Sequence, residues 1–410
     1  MNNLTSYPKE KINVLLLENI SENAVLQFNY AGYNNVKRIK GALPENELLE
    51  EIKNVHLLGI RSKTQLTAKV LKTASKLLAA GCYCIGTNQV NMQSATEQGI
   101  AIFNAPYSNT RSVAELVIGS AIMLLRRIPE KNIAAHSGVW LKDASGSFEL
   151  RGKKLGIIGY GNIGLQVSVL AEALGMEVIY YDAEPKLPIG NAKPVRTLKE
   201  LLQQSNIITL HIPETSSTKN LLGINEIALM QKGSIIINYA RGNVIDLSAL
   251  SDAIKSGHIS GAAIDVFPEE PEKTGSSFTS ILQNIPNVIL TPHIGGSTEE
   301  AQLNISEDVT SKLLNFLEKG ITTGSLSVPA LNLPATPNTH RILHIHKNIP
   351  GVLSSITSKL SSNNINIIGQ YLKTNDQIGY VVLDVDKNMS EEAFALLKDV
   401  NGSIKSRMLW

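Results

Sequence analysis

Three glycines in Gly159-Tyr-Gly161-Asn-Ile-Gly164 stand directly behind the apolar run 155–158 and at the head of a helical stretch that starts near Ile163. Few local patterns restrict a chain as tightly. Gly159 permits a sharp strand-to-helix turn, Gly161 lets the backbone come close to a ligand, and Gly164 lets the helix lie on the sheet. The free N–H groups at such a helix start suit a pyrophosphate. The next strand, Glu177–Tyr181, ends at Asp182, whose carboxylate accepts from both hydroxyls of a ribose. Ala183 follows, with no adjacent Arg for a 2′-phosphate, which favours NAD over NADP. The runs 155–158, 177–181, 206–210, 234–238, 261–264 and 288–291 alternate with helical stretches, so a doubly wound parallel sheet of six strands is expected.

Three reactive side chains follow later strands of that series. Arg241 follows the run 235–240, Glu270 the run 263–269 and His293 the run 289–292. Open α/β sheets bind their ligands at such strand ends. Hydride removal from a 2-hydroxy acid needs a base for the hydroxyl proton, a fixed cation for the carboxylate and a set geometry. His293 fits the base, because imidazole titrates near the working pH. Glu270 beside it orients the ring and favours the imidazolium. Arg241 offers a planar, permanently charged fork to a carboxylate. Asp265 is expected to hydrogen-bond near the nicotinamide end. His211, in Leu-His-Ile-Pro213, is a rival base without an obvious carboxylate partner.

A chain of 410 residues suggests two or three domains at about 150 residues each. In the first hundred residues the runs 13–17, 57–60, 76–80 and 100–103 read as strands, with helices at 45–53 and 67–74 between them. That is a second parallel α/β sheet. The segment 112–135 reads as one long helix, apolar almost all round and therefore buried on every face, joining two domains and lying in a subunit interface. A helix at 299–319 follows. Residues 320–338 carry Pro329, Pro334 and Pro337 among polar residues and read as a linker. The remainder reads as a separate unit with strands at 340–347, 367–374, 379–386 and 403–410 and helices at 352–362 and 390–398. This β-α-β-β-α-β order is ferredoxin-like.

The 38 basic and 36 acidic residues leave a net charge of +2, which weighs against nucleic acid or an anionic membrane as partner. No apolar run approaches the ~18 residues of a membrane span. The first eleven residues lack the apolar core of a signal peptide, so a cytoplasmic protein is expected. Cys82 and Cys84 flank one tyrosine, which is neither redox nor metal-ligand spacing, and no metal site is expected.

Several segments together resemble the D-isomer-specific 2-hydroxyacid dehydrogenases: the glycine motif, His211-Ile-Pro213, Asn238-Tyr-Ala-Arg-Gly242, Ala263-Ile-Asp-Val-Phe267 with Glu270-Pro271, and Thr291-Pro-His-Ile-Gly-Gly296. The resemblance covers about residues 12–330. It implies a catalytic trio at Arg241, Glu270 and His293. It also implies an NAD site built from Gly159, Gly161, Asn162, Ile163, Gly164, Asp182, His211, Tyr239, Ala240, Asp265, Gly295 and Gly296. Tyr239 stands where a smaller residue is expected beside the Arg.

Within that family, the segments Gly59-Ile-Arg-Ser-Lys-Thr64, Gly81-Cys-Tyr-Cys-Ile-Gly-Thr-Asn-Gln-Val90 and Phe103-Asn-Ala-Pro-Tyr-Ser-Asn-Thr-Arg-Ser-Val-Ala-Glu115 resemble the branch acting on 3-phosphoglycerate. This implies oxidation to 3-phosphohydroxypyruvate, the first step of serine synthesis, by a homotetramer inhibited by L-serine. Arg61, Ser62 and Lys63 then face the substrate phosphate, and Asn109, Thr110 and Arg111 add contacts. Trp140 and Lys142 resemble positions that reach a neighbouring subunit. His344-Ile-His-Lys-Asn-Ile-Pro-Gly-Val-Leu353 with Ile365-Asn-Ile367 resembles an ACT regulatory domain, which implies an amino-acid effector held by His346, Asn348, Asn366 and Ile367. The linker 333–341 lacks the paired glycines of serine-inhibited relatives. Its prolines stiffen the joint and weigh against easy feedback inhibition. The expected domains are a flavodoxin-like substrate domain (1–107, completed by 297–330), a Rossmann NAD domain (108–296) and an ACT domain (338–410). The other readings are a dehydrogenase of another D-2-hydroxy acid, such as 2-hydroxyglutarate, and an NAD(H)-sensing regulatory protein.

Overall fold

The apolar runs become strands because the helices between them cover both of their faces. The computed structural model describes residues 7–271, 275–334 and 336–409. Its first sheet contains β1 (Val14–Leu16), β2 (Val36–Arg38), β3 (Leu57–Ile60), β4 (Ala79–Cys82) and β5 (Ala101–Asn104). All pair in parallel, in the order β2-β1-β3-β4-β5, with α1 (Glu22–Tyr30), α2 (Glu45–Glu51), α3 (Ala68–Thr73) and α4 (Met92–Glu97) in the crossovers. β1, β3, β4 and β5 are buried at every residue. β2 was not expected. It is the partly exposed edge Val-Lys-Arg, which carries no apolar run. The run 76–80 is strand only from Ala79 onward.

The second sheet contains β6 (Lys154–Ile158), β7 (Glu177–Tyr181), β8 (Lys193–Pro194), β9 (Ile207–Leu210), β10 (Ser234–Asn238), β11 (Ile259–Ile264) and β12 (Val288–Leu290). Its order, β12-β11-β10-β9-β6-β7-β8, is parallel throughout and reverses between β6 and β9, where a doubly wound sheet binds ligands. The two-residue edge β8 adds a seventh strand to the six expected. The helices are α5 (Thr110–Leu125), α6 (Ile128–His136), α7 (Asn162–Ala173), α8 (Leu198–Gln204), α9 (Ile224–Ala228) and α10 (Leu247–Lys255).

The expected single helix over 112–135 is two helices. Arg127 breaks it with a left-handed φ of 53°, and proline stands at the start of α6. Nor is the segment buried on every face within one chain. Ile122 and Met123 are exposed, and α6 buries no residue. Hydrophobicity all round demands cover, and one chain does not supply it on that side.

After α11 (Glu299–Lys319), the C-terminal segment runs β13 (Thr339–Lys347), α12 (Val352–Ser362), β14 (Ile367–Thr374), β15 (Ile378–Asp386), α13 (Ser390–Lys398) and β16 (Ser403–Leu409). This is the expected βαββαβ order, and Trp410 lies outside the described residues. The antiparallel sheet has the order β14-β15-β13-β16, with Ile342 opposite Leu383 and His344 opposite Val381. Period-two alternation splits its side chains. Ile342, Val381 and Leu383 pack with Val352, Ile356 and Leu397 of the two helices. Leu343, Ile345, Tyr380 and Val382 join one core with Phe103, Val309 and Phe316.

Polar side chains seal that shared core. Arg407 donates to Phe316 O at 2.6 Å, Arg341 to Lys319 O at 3.1 Å and the Tyr380 hydroxyl to Gly320 O at 2.7 Å. Lys319 O and Gly320 O, where α11 ends, thus accept from the C-terminal sheet, and Phe316 O accepts from Arg407 beside its bond from Gly320 N. By contacts the chain forms two compact units, Met1–Ser108 with Gln302–Trp410, and Asn109–Ala301. Residues 320–334 are no free linker. Thr322, Ser327, Val328 and Leu333 are buried, and Thr322 Oγ1 donates to Pro329 O at 2.7 Å. Among the described residues no helix is long and apolar enough to cross a membrane, and no cluster of three metal-ligand side chains occurs.

Candidate active site

The glycine turn at the end of β6 has the geometry its sequence implies. Gly159 has φ 92°, and a Cβ there would lie 2.5 Å from His211 O. A Cβ on Gly164 would lie 2.2 Å from Gly159 O. At Gly161 an added Cβ would meet nothing within 4 Å. That open side adjoins the start of α7, where Gly161 offers no side-chain cap to the first N–H groups. Asp182 accepts from Tyr160 N at 2.8 Å through Oδ2 and from Glu184 N at 2.9 Å through Oδ1. Each oxygen keeps lone-pair capacity for a ribose hydroxyl. These residues fit a dinucleotide.

The three strand-end side chains form one electrostatic group. His293 Nδ1 lies 2.7 Å from Glu270 Oε2, and Glu270 Oε1 accepts from Phe267 N at 3.0 Å. The hydrogen bond to Glu270 raises the His293 pKa above 6.5, against burial and the Arg241 charge, which lower it. Burial pushes the Glu270 carboxyl upward. The bonds from His293 and Phe267 N and the Arg241 charge outweigh it and hold the pKa below 4.5. Arg241 is placed by its own backbone. Asn238 Nδ2 donates to Arg241 O at 2.9 Å, and Asn238 Oδ1 accepts from Ala240 N at 3.1 Å. Gly242 lies so close to Phe267 that a Cβ would come within 2.1 Å of its carbonyl carbon. Only glycine lets the Arg241 turn abut the Glu270 turn.

Asp265 follows β11 directly. It is buried and accepts from Thr291 Oγ1 at 2.6 Å, Ile294 N at 2.8 Å and Gly295 N at 2.7 Å. His293 N also donates to Asp265 O at 2.8 Å. This carboxylate grips the segment that holds His293 at a left-handed φ of 55°. The Asn238 and Thr291 roles were not foreseen. Both side chains bond to nearby backbone or to a neighbouring acid, and no spacing rule announces that.

The surroundings of His211 weigh against it as the base. Burial pushes its pKa down to about 3, and its Nε2 pairs with Thr209 Oγ1 at 3.0 Å. Its Nδ1 has no partner among the described residues. A ring so hard to protonate is a poor proton acceptor beside His293. The Tyr239 hydroxyl lies 2.6 Å from Ser120 Oγ of α5, and burial raises its pKa. Asn109 packs on Gly296, where an added Cβ would lie 2.0 Å from Asn109 Nδ2. Arg111 pairs with Glu115 at 2.6 Å on the surface of α5. Lys142 and Trp140 are exposed in the stretch after α6.

Arg61, Ser62 and Lys63 lie in the other unit, in the loop behind β3. In the C-terminal sheet His346 is buried, with Nδ1 bonded to Lys347 O at 2.7 Å and Nε2 unpartnered among the described residues. Asn348 Nδ2 donates to Asn375 O at 2.7 Å. Asn366 is exposed ahead of β14, and Ile367 is half-buried at its first residue.

Residues 118–295 match the NAD binding domain of the D-isomer specific 2-hydroxyacid dehydrogenases, and residues 342–405 match an ACT domain like that of the AHAS small subunit. A D-3-phosphoglycerate dehydrogenase of Haemophilus influenzae is 50% identical over 410 residues, covering 100% of both chains. The chain belongs to the D-isomer specific 2-hydroxyacid dehydrogenase family. The Escherichia coli K12 D-3-phosphoglycerate dehydrogenase is likewise 50% identical over 407 residues, covering 99% of each chain. Among solved structures, a D-2-hydroxyisocaproate dehydrogenase aligns with TM-score 0.71 at 26% identity over 77% of this chain and 100% of that one. The Aquifex aeolicus D-lactate dehydrogenase, complexed with NAD and lactic acid, aligns with TM-score 0.65 at 27% identity over 78% of this chain and 100% of that one. As a 2-hydroxyacid dehydrogenase the chain is an NAD-dependent oxidoreductase. The matched span 118–295 contains the glycine turn, Asp182, Arg241, Glu270 and His293.

Proposed function

We propose that this dehydrogenase oxidises D-3-phosphoglycerate to 3-phosphohydroxypyruvate with NAD, the first step of L-serine synthesis. The observation that carries the reaction is the 2.7 Å His293–Glu270 pair, in the field of Arg241, behind the strands of an NAD-binding sheet. The full-length similarity to D-3-phosphoglycerate dehydrogenases supports the choice of substrate.

His293 Nδ1 is committed to Glu270, so Nε2 takes the proton from the substrate hydroxyl. Glu270 stabilises the imidazolium that results. Arg241 holds the substrate carboxylate and fixes the hydroxyl against the ring. The 159–164 turn and Asp182 would hold NAD, which would supply the hydride acceptor. Arg61, Ser62 and Lys63 bind the phosphate, Asn109 and Arg111 add polar contacts, and Lys142 serves a neighbouring subunit's site. The enzyme works as a cytoplasmic homotetramer. L-serine is its effector, held by His346, Asn348, Asn366 and Ile367.

A substrate panel tests this reading. Purified enzyme is mixed with NAD and 3-phosphoglycerate, lactate, glycerate or 2-hydroxyglutarate, with and without L-serine, and NADH formation is followed. Turnover with 3-phosphoglycerate is expected to exceed the rest and to fall when L-serine is added. Arg61→Ala should weaken the phosphorylated substrate selectively. Preference for an unphosphorylated acid would overturn the assignment.

A further inference from the structure

The sequence gives Glu18 no part in the chemistry, yet its backbone is held where L side chains seldom go. Glu18 has φ 58° and its neighbour Asn19 φ 54°. Two consecutive non-glycine residues in the left-handed region need a compensating interaction. The side chain supplies it. Glu18 is 8% exposed, and its carboxylate faces the loop behind β3. Oε1 accepts from Arg61 N at 3.0 Å and Thr64 N at 2.8 Å, and Oε2 accepts from Lys63 N at 2.9 Å.

Three backbone N–H groups converging on one buried carboxylate fix a loop tightly. An ionised carboxylate is acceptor-only, so it meets all three donors without a mismatch, which an amide does not. The opposite side of the same loop is also held. Gln89 is buried and donates to Arg61 O at 2.6 Å, while Leu66 N and Gln89 O pair at 2.8 Å. Glu18 spends both oxygens on the backbone and forms no ion pair with the cations that the loop carries. Arg61 is half-buried and Lys63 exposed, and neither forms an ion pair among the described residues.

We infer that Glu18 is the positioning residue of the anion-binding loop 61–64, holding its backbone so that Arg61 and Lys63 meet the substrate phosphate in a preset geometry. The inference rests on the assignment of Arg61 and Lys63 to the phosphate. A carboxylate here stiffens a cationic site without touching the anion. Pre-set geometry spares the ordering cost at the moment of binding. The consequence falls on capture of the phosphorylated substrate and leaves the cofactor and the proton-transfer group untouched.

The test is a steady-state double-mutant cycle on the full-length enzyme. Glu18→Gln keeps the volume and removes the charge. It is expected to raise KM for 3-phosphoglycerate by about tenfold or more while kcat and KM for NAD stay within about twofold. Arg61→Ala is expected to raise KM on its own. Adding Glu18→Gln to Arg61→Ala should then raise KM by clearly less than Glu18→Gln does alone, because one of the two cations it positions is gone. Full additivity of the two changes, or a Glu18→Gln enzyme with unaltered KM beside a weakened Arg61→Ala, overturns the inference. An Arg61→Ala enzyme with normal KM overturns the phosphate assignment itself, and the inference falls with it. If Glu18→Gln does not fold, Gln89→Leu carries the test, since it releases the same loop from the other side. Its KM should rise selectively, and an unchanged KM overturns the inference.

Discussion

Replacing Glu270 by Gln isolates what the carboxylate does for the His293 imidazole. In the oxidation direction the base must be neutral, so kcat/KM falls on the acid side as His293 of the free enzyme gains its proton. The Glu270 bond raises the His293 pKa above 6.5, so the acid limb of the native enzyme lies above that value. Gln at 270 keeps an acceptor at the same reach and removes the charge. A charge-assisted hydrogen bond contributes about 1.5–3 kcal/mol, a neutral one about 0.5–1.5. With the two side chains 52% and 35% exposed, solvent screening trims the difference to about 1 kcal/mol. The limb therefore moves down in pH. The same loss reaches the imidazolium forming in the transition state, and the plateau kcat/KM drops by about fivefold. The measurement is kcat/KM against pH for both enzymes. His293→Ala serves as the control that removes the limb and lowers turnover by ~10². A slower Glu270→Gln enzyme with an unmoved limb would refute the idea that Glu270 acts through the ring. Stability carries a matching signature. The raised His293 contributes fully below 6.5 and loses that contribution as pH rises through its folded pKa. The lowered Glu270 contributes fully above 4.5 and loses it as pH falls through its folded pKa. Both contributions are complete between those two values.

Gly164→Ala puts a Cβ 2.2 Å from Gly159 O and forces α7 off the turn. NAD affinity, measured by titration calorimetry, should weaken by about tenfold or more, at an overpacking cost of about 1–3 kcal/mol. Arg341→Met strips the fully buried Asp384 of its two-point partner, and among the described residues only Thr336 Oγ1 remains as a side-chain donor. A loss of about 3–5 kcal/mol is expected in urea unfolding followed on the C-terminal sheet, with NAD binding unchanged. The double variant Arg341→Met with Asp384→Leu should recover much of it.

The sequence was most informative where backbone chemistry is local. Gly159, Gly161 and Gly164 each have a stereochemical reason confined to one turn, and the structure places all three accordingly. The helices Val352–Ser362 and Ser390–Lys398 were read to the residue because polar and apolar positions alternate cleanly at helical period. The 112–135 segment failed for the converse reason. The run 113–125 is hydrophobic all round and carries no phase, and the break at Arg127 is marked only by Pro129, which suits the first turn of the new helix α6. β2 failed because an edge strand needs only one buried flank, so three residues with a single apolar member suffice.

The C-terminal sheet shows what the alternation of a strand leaves open. Its helix face and its core-joining face both alternate correctly, so the pattern at 340–347 is the same whether the second face meets solvent, another chain or the rest of this one. What decides is Lys405, Arg407, Arg341 and Tyr380, which donate to Leu77 O, Phe316 O, Lys319 O and Gly320 O. On a strand, Lys and Arg read as solvent-facing charge. Here the long apolar stems run along the core, and the heads end on backbone carbonyls, of which Phe316 O also accepts from Gly320 N. Burial lowers Lys405 to about 8 and Arg407 to about 10, the mark of cations held away from water by acceptors that carry no formal charge. A surface reading of the same residues would predict ordinary values for both. The titration of Lys405, followed by amine NMR in the intact enzyme, therefore distinguishes a C-terminal sheet joined to the first unit from one tethered beside it. A value near 10.5 would detach the sheet.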